Sequence, residues 1–326
     1  MRLRVATLNR RRWFRFAGFA AAAFFLSGIG GFRASLLAQS PSEAEKPLRF
    51  VAWNLKNYLA MERRVNGESV ADAPKPEKEI DAVIATLVEL RPDILGVCEL
   101  GDATFLKDLQ SRLKAKGVDL PHTEQVISAD GWNRNLALLS RFPIIARNSR
   151  TDLTYMIGQT RLPFQRGILD VTIAPRPDYR LRCIGLHLKS KREVPEADQY
   201  EMRRNEAHLA REHINAIFDS EPGVNLVAYG DFNDTPDQPA QKTVRGQFGS
   251  RGYLIDLRPA DGQGYKWTHF WSYADTYARL DYLLASDGLK AEIVRDSARI
   301  PNRADWEVAS DHRPLLFEFI PVDAER

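Results

Sequence analysis

The stretch LVAYGDFND (residues 226–234) runs from a short apolar segment straight into Asp231, Asn233 and Asp234. A run of this length bounded by turn-forming residues reads as a buried strand. Its end carries the information, because a carboxylate and an amide stand where the strand stops, at the edge of a sheet. The same design recurs along the chain. RFVAW ends in Asn54, ILGVC in Glu99 and CIGL in His187, Asp281 opens DYLLA, and Ser310, Asp311 and His312 precede PLLFEF. Strand ends that share one edge lie close in space, so these groups can meet in one cleft.

Outward from that strand, PEKEIDAVIATLVELR (residues 76–91) sets Ile80, Val83, Ile84, Leu87 and Val88 at helical spacing, with acids near its start. Residues 103–116 read as a second helix ended by Gly117, and residues 198–218 as a third with Met202, Leu209, Ile214 and Ile217 inward. A short helix is expected near 239–245. HTEQVIS, LALLS, PIIAR, GILDVTIA, YRLRCIGLHL, KWTHFW, RLDYLLA, AEIVRD and PLLFEFI read as strands. Several follow one another with no helix between them, which a strictly alternating parallel sheet does not allow. The expected fold class is α/β, with two packed mixed β-sheets flanked by helices in a four-layer α/β/β/α sandwich. No repeat or Pro/Gly/Ser-rich linker divides residues 48–322, which are read as one domain.

The composition, 44% hydrophobic and 27% charged over 326 residues, is that of a globular protein and excludes a disordered or disulfide-framework chain. The net charge of +3 conceals an asymmetry. Residues 1–38 hold seven arginines and no acid, which leaves 39 Lys and Arg against 43 Asp and Glu, a balance of −4. A strongly basic nucleic-acid coat is excluded, and a local basic patch is not. NRRRWFR (residues 9–15) precedes the apolar run FAGFAAAAFFLSGIGG (16–31), shorter than the roughly 20 residues of a spanning helix. With Ala38 before a polar stretch, residues 1–38 read as a cleaved export signal and 39–47 as a linker. Arg11 and Arg12 followed by Trp13 and Phe14 resemble a twin-arginine signal, and an uncleaved anchor is the alternative. The expectation is a periplasmic or secreted protein with no stable membrane span after cleavage and no obligate protein partner. Cys98 and Cys183 sit in strand-like runs and read as buried free thiols, with a bridge between them, which would need adjacent strands, as the alternative.

Taken singly, each polar residue has a plain reading: GDFND as a turn, SDHRP as a loop, His187 as a core histidine, Glu99 as a strand-end ion pair. Asp281 resists this, since a carboxylate in an apolar strand is costly unless paired. Together the residues offer four carboxylates, two histidines and two amides. Such an oxygen-rich set suits a hard divalent cation, Mg²⁺ or Mn²⁺, and suits zinc poorly. Arg166, at a strand start, reads as a guanidinium fork for phosphate, and Lys189, Lys191 and Arg192 as contacts to a substrate backbone. Trp132, Trp267, Trp271 and Tyr273 read either as a stacking or membrane-contact surface or as core. No apolar hairpin of the kind a lipid-cleaving enzyme needs stands out.

The ordered set WNLKNY, GVCEL, HLKS, GDFND, RLDYLLAS and SDHRP resembles the endonuclease/exonuclease/phosphatase superfamily. Its members include deoxyribonucleases, apurinic endonucleases, sphingomyelinases and inositol polyphosphate 5-phosphatases. The resemblance spans roughly residues 48–320 and implies the same two-sheet sandwich. It implies a metal set of Asn54, Glu99 and Asp311, and Asp231 as the group that orients or deprotonates the attacking water or assists a second metal. It also implies Asn233 on a phosphate oxygen, His312 on the scissile phosphate with Asp281 as its partner, and His187 as the second active-site histidine. In deoxyribonuclease-like relatives a glutamate backs that histidine. Asn135 stands at the corresponding place here, which makes His187 the weaker base. The expected activity is metal-dependent phosphodiester hydrolysis, foremost as a nuclease on DNA or RNA. The alternatives are a phosphomonoesterase or sphingomyelinase-like lipid phosphodiesterase on the same scaffold, and a non-catalytic binding module.

Overall fold

The computed structural model describes residues 46–129 and 131–323. The export signal expected at 1–38, and all of the linker but its last two residues, lie outside them. Strand β1 (Leu48–Tyr58) leads into a hairpin, β2 (Met61–Val65) and β3 (Glu68–Ala73). Then come α1 (Glu77–Leu90), β4 (Ile94–Leu100) and α2 (Ala103–Ala115). Seven strands follow: β5 (His122–Val126), β6 (Asn135–Ser140), β7 (Ile144–Arg147), β8 (Thr154–Ile157), β9 (Thr160–Pro163), β10 (Leu169–Arg176) and β11 (Tyr179–His187). The chain continues through α3 (Gln199–Ser220), β12 (Leu226–Asp231), α4 (Pro239–Arg245), β13 (Ile255–Asp256), β14 (His269–Trp271) and β15 (Thr276–Ala278). It ends with β16 (Asp281–Ala285), α5 (Asp287–Glu292), α6 (Trp306–Ala309) and β17 (Leu315–Phe319).

Two sheets dominate, one in the order β17-β1-β4-β6-β5 and one in the order β13-β16-β12-β11-β10-β7. Both are mixed. β1 runs parallel to β4 and antiparallel to β17, and β12 runs parallel to β11 and antiparallel to β16. The layers follow from strand alternation. Phe50 and Ala52 of β1, with Cys98 of β4, face Val227 and Tyr229 of β12 in the core between the sheets. Val51, Trp53, Leu95 and Val97, on the opposite faces of β1 and β4, pack under α1 and α2 through Ile80, Val83, Leu87 and Leu109. On the far side Ile184, Leu226 and Ala228 meet Ala207, Ala210 and Ile214 of α3. The result is the expected α/β/β/α sandwich.

Two glycines set close approaches. A Cβ at Gly96 would fall 2.0 Å from the Tyr229 ring, so that ring wedges from one sheet into a notch in the other. Gly230 has φ +127°, and its Cβ would fall 2.0 Å from the Leu186 carbonyl oxygen. Helix ends obey the sequence: Asp102 caps α2 by accepting the Thr104 N–H, and Asp198 caps α3 by accepting those of Tyr200 and Glu201. Two expected strands are corrected. In AEIVRD, Ala291 and Glu292 finish α5, because Ser286 caps that helix with its Oγ 3.3 Å from the Leu289 N–H. Of KWTHFW only His269–Trp271 is strand, paired with β15 outside both main sheets. The hairpins β2–β3 and β8–β9 were not expected. Cys98 and Cys183 are buried and free. Among the described residues no helix is long and apolar enough to cross a membrane.

Candidate active site

Ladder register delivers the polar strand ends to one edge. His187 lies opposite Asp231 and Asp231 opposite Asp281 in one sheet, while Asn54 lies opposite Cys98, the residue before Glu99, in the other. At Glu99 the ladder breaks, because β4 shifts register against both β1 and β6, and Glu99 has φ +61°. Such a bulge re-aims a side chain. Non-glycine backbone held in this region costs about 1–3 kcal/mol, and such strain clusters at active sites and ligand clamps.

The edge opens into a cleft of about 230 Å³ lined by Glu99, Arg166, His187, Asp231, Asn233, Asp311 and His312. Asn54 and Asp281 complete the set one layer beneath. Asn54 Nδ2 donates to Asp231 Oδ2 at 3.1 Å and to Glu99 Oε1 at 3.4 Å, so one amide ties the two sheets together. Its Oδ1 accepts the Lys56 N–H at 3.0 Å. His312 Nδ1 donates to Asp281 Oδ2 at 2.7 Å. Thr268 Oγ1 accepts the Asp281 N–H, the Trp53 indole donates to the His312 carbonyl, and Ser310 Oγ accepts the His312 N–H while donating to the Asn54 carbonyl. The SDH segment is therefore stitched to β1 and to the first residue of β16.

These surroundings push the two histidines apart. Burial opposes charge on His312, but the Asp281 and Asp231 carboxylates outweigh it and raise its pKa to about 10. His187 is driven well below the usual histidine range by burial, with Arg166 and His312 adding repulsion. Asp231 is pushed up to about 7 by burial and by the Asp281 carboxylate. Asn233, at φ +52°, gives one amide hydrogen to the Leu188 carbonyl at 3.0 Å and its backbone N–H to Asp231 Oδ1 at 2.9 Å. Arg166 is 2% exposed, its guanidinium lies over the Trp132 ring at 5.3 Å, and its Nε has no hydrogen-bond partner among the described residues.

Sequence reasoning missed several groups. Asn57, at φ +55°, donates its backbone N–H to Glu99 Oε2 at 2.9 Å. Arg134 stands 3.8 Å from the same oxygen. His269 lines the cleft with its ring centroid 4.6 Å from that of His312. Asn57 was within reach inside WNLKNY, whereas Arg134 and His269 carry no local signal. Two expectations are corrected. Lys189 is buried, and its Nζ is spent on the Ser190 and Arg192 carbonyls, so only Arg192 of that basic run lines the cleft. Asn135 does not reach His187: its Oδ1 accepts the Ser128 N–H and its Nδ2 donates to the Gly101 carbonyl. Among the described residues no carboxylate hydrogen-bonds the His187 ring, and its Nδ1 has no partner. Its Nε2 stands 3.7 Å from Asp231 and 3.9 Å from Glu99.

The donor set fits a hard divalent cation. The Glu99, Asp231 and Asp311 carboxylates open onto one cleft, and oxygens of Asp231 and Asp281 lie within 4.8 Å of each other. Burial first, and then the neighbouring Asp281 carboxylate, raise Asp231, and buried carboxylates held this close are what a cation relieves.

The sequence profile of the Endonuclease/Exonuclease/phosphatase family matches residues 51–312, from β1 to the cleft histidine. No curated protein matches the sequence. Among solved structures, the human Nocturnin catalytic domain is 17% identical with a TM-score of 0.58, covering 84% of this chain and 94% of that one. A family protein from Leptotrichia buccalis is 15% identical with a TM-score of 0.57, over 83% of this chain and 99% of that one. Sphingomyelinase C from Streptomyces griseocarneus is 14% identical with a TM-score of 0.57, over 84% and 99%. At such identities the likeness to the solved structures is one of fold, whereas the profile spans the cleft itself. The chain belongs to the Endonuclease/Exonuclease/phosphatase family, whose members are phosphoester hydrolases.

Proposed function

We propose that this chain is an exported, divalent-cation-dependent phosphodiesterase that cleaves DNA or RNA. The observation that carries the reading is the company His312 keeps: an imidazolium paired with Asp281, facing two carboxylates suited to a cation, in a cleft that also holds the guanidinium groups of Arg134, Arg166 and Arg192. Glu99 and Asp311 would hold Mg²⁺ or Mn²⁺, with Asn54 bracing Glu99 and Asp231 beside it. A cation bound there would supply charge neutralisation at the phosphate and at the leaving oxygen.

The remaining roles belong to the protein. Asp231, raised to about 7, takes a proton from the attacking water near neutral pH. His312 stays protonated and stabilises the negative charge that develops on the phosphate. His187 stays neutral and offers one N–H to a phosphate oxygen. The second amide hydrogen of Asn233 and the Arg166 guanidinium, both on the cleft wall, do the same. For export, the support is the arginine-led apolar segment before residue 38.

A lipid phosphodiesterase is the second reading. The observation favouring it is the turn of the β14–β15 hairpin, where Trp271 is 55% and Tyr273 90% exposed. Purified protein assayed with Mg²⁺ against plasmid DNA, RNA, sphingomyelin and a chromogenic phosphodiester, each with and without a chelator, separates the two. Chelator-sensitive cleavage of a nucleic acid is the expected result, and cleavage of sphingomyelin alone would replace the nuclease reading.

A further inference from the structure

Behind the hairpin that carries His269 into the cleft lies a second cavity, of about 510 Å³, walled by Tyr265, Trp267, Tyr277 and Trp306. The two are joined through consecutive residues. His312 points its ring at His269 on the cleft side, while Arg313 lays its guanidinium over Trp267, 4.0 Å from the ring centroid, on the other. β14 alternates in the same way: His269 meets His312, and Phe270 stacks on Tyr277 with centroids 4.5 Å apart and planes 21° apart. Tyr277 thus has one face covered by Phe270, yet it remains 52% exposed on the wall of the cavity. Trp267 holds the assembly together, meeting Tyr277 at 4.8 Å and Trp306 at 5.1 Å.

We propose that this aromatic cavity is a subsite for a nucleobase of the substrate strand, taken up where the strand leaves the cleft and passes round the β14–β15 hairpin. The inference rests on the nuclease reading and names what that reading leaves open, namely which part of the substrate lies outside the cleft. Its chemistry selects an uncharged planar ring. Aromatic walls stack on any base face. The side-chain amides of Gln263 and Asn302, which make no hydrogen bond among the described residues, stand on the rim where base edges would meet them. A quaternary ammonium group fits less well. The cavity's one carboxylate, Asp261, is 6% exposed and already neutralised by Arg313 at 2.8 Å, so no free negative charge awaits a cation, and a guanidinium is already seated on Trp267.

Two measurements on the full protein test this. The first titrates adenosine, and separately phosphocholine, against intrinsic tryptophan fluorescence in the wild type and in Tyr265→Ala/Tyr277→Ala, both of whose side chains are more than half exposed. Saturable quenching by adenosine that weakens about tenfold in the variant is expected. Quenching by phosphocholine alone, or by neither, overturns the subsite. The second measures kcat/KM for a single-stranded oligonucleotide against the same strand carrying abasic units beside the scissile bond. The subsite requires a wild-type preference for bases that falls about tenfold in the variant. A variant that lowers both substrates equally, or keeps the preference, overturns it, because a structural lesion leaves the ratio unchanged. Failure of the wild type to cleave either strand would sink the nuclease reading, while the adenosine titration would still judge the cavity on its own.

Discussion

His312 and His187 sit in one cleft and are driven to opposite charge states, the first by carboxylates and the second by burial beside Arg166. That difference assigns them different duties and makes them separable. His312→Ala should lower turnover by on the order of 10² to 10⁴ without altering the far-UV spectrum or the melting temperature by more than a few degrees. Asp281→Asn should reproduce most of that loss, since the amide keeps the shape and removes the charge that sustains the imidazolium. Steady-state kinetics on a chromogenic phosphodiester check both, and near-normal turnover in either would remove the pair from the chemistry. These residues were legible because each stands as a polar break in an apolar strand. Arg166 was legible only in part. Its position was read, but its burial against Trp132 depends on a loop that no local pattern announces.

Helix α3 shows what an element does beyond packing. Its Glu206 is fully buried and accepts the N–H of Gln165 at 3.1 Å and of Lys189 at 2.6 Å, latching the segments that carry Arg166 and follow His187. Burial pushes its pKa to about 7, against the pull of Arg166, both N–H groups and Lys189. Because that lies above the unfolded value, the stability this carboxyl lends is full below about pH 4.5 and is lost as pH rises through about 7. Urea denaturation at pH 5 and pH 8 should therefore show the wild type losing more ground than Glu206→Gln over that interval. Gly230→Ala should destabilise by about 2 kcal/mol or more, with a backbone clash and a positive φ acting together, and a shift in urea midpoint reads it out. The main strands and α1 to α4 were readable from period and caps. The β2–β3 hairpin was overlooked although Asn66 and Gly67 both take positive φ, the signature of its tight turn. Of the β14–β15 hairpin, β14 was read within KWTHFW but β15 was missed: its three half-buried to exposed residues, Thr276–Ala278, ladder only with β14, so burial imposes no clean alternation on them.

For the molecule as a whole, chelation should abolish activity, and Mg²⁺ or Mn²⁺ should restore it where Zn²⁺ does not, measured on plasmid DNA after dialysis. A reporter fused behind residues 1–38 should reach the periplasm, and lysine at both Arg11 and Arg12 should hold it back, as cell fractionation would show. The Tyr229 ring seated in the Gly96 notch bears on both halves of the cleft. Asn54 and Glu99 ride on one sheet, and His187, Asp231 and Asp281 on the other. Sliding one sheet past its partner by a single residue, about 3.4 Å, would carry Asn54 out of reach of Asp231, which it now meets at 3.1 Å. The ring works as a locating pin between two plates, and turnover becomes a gauge of their alignment, failing at loosenings of the core too small for any melting curve to register.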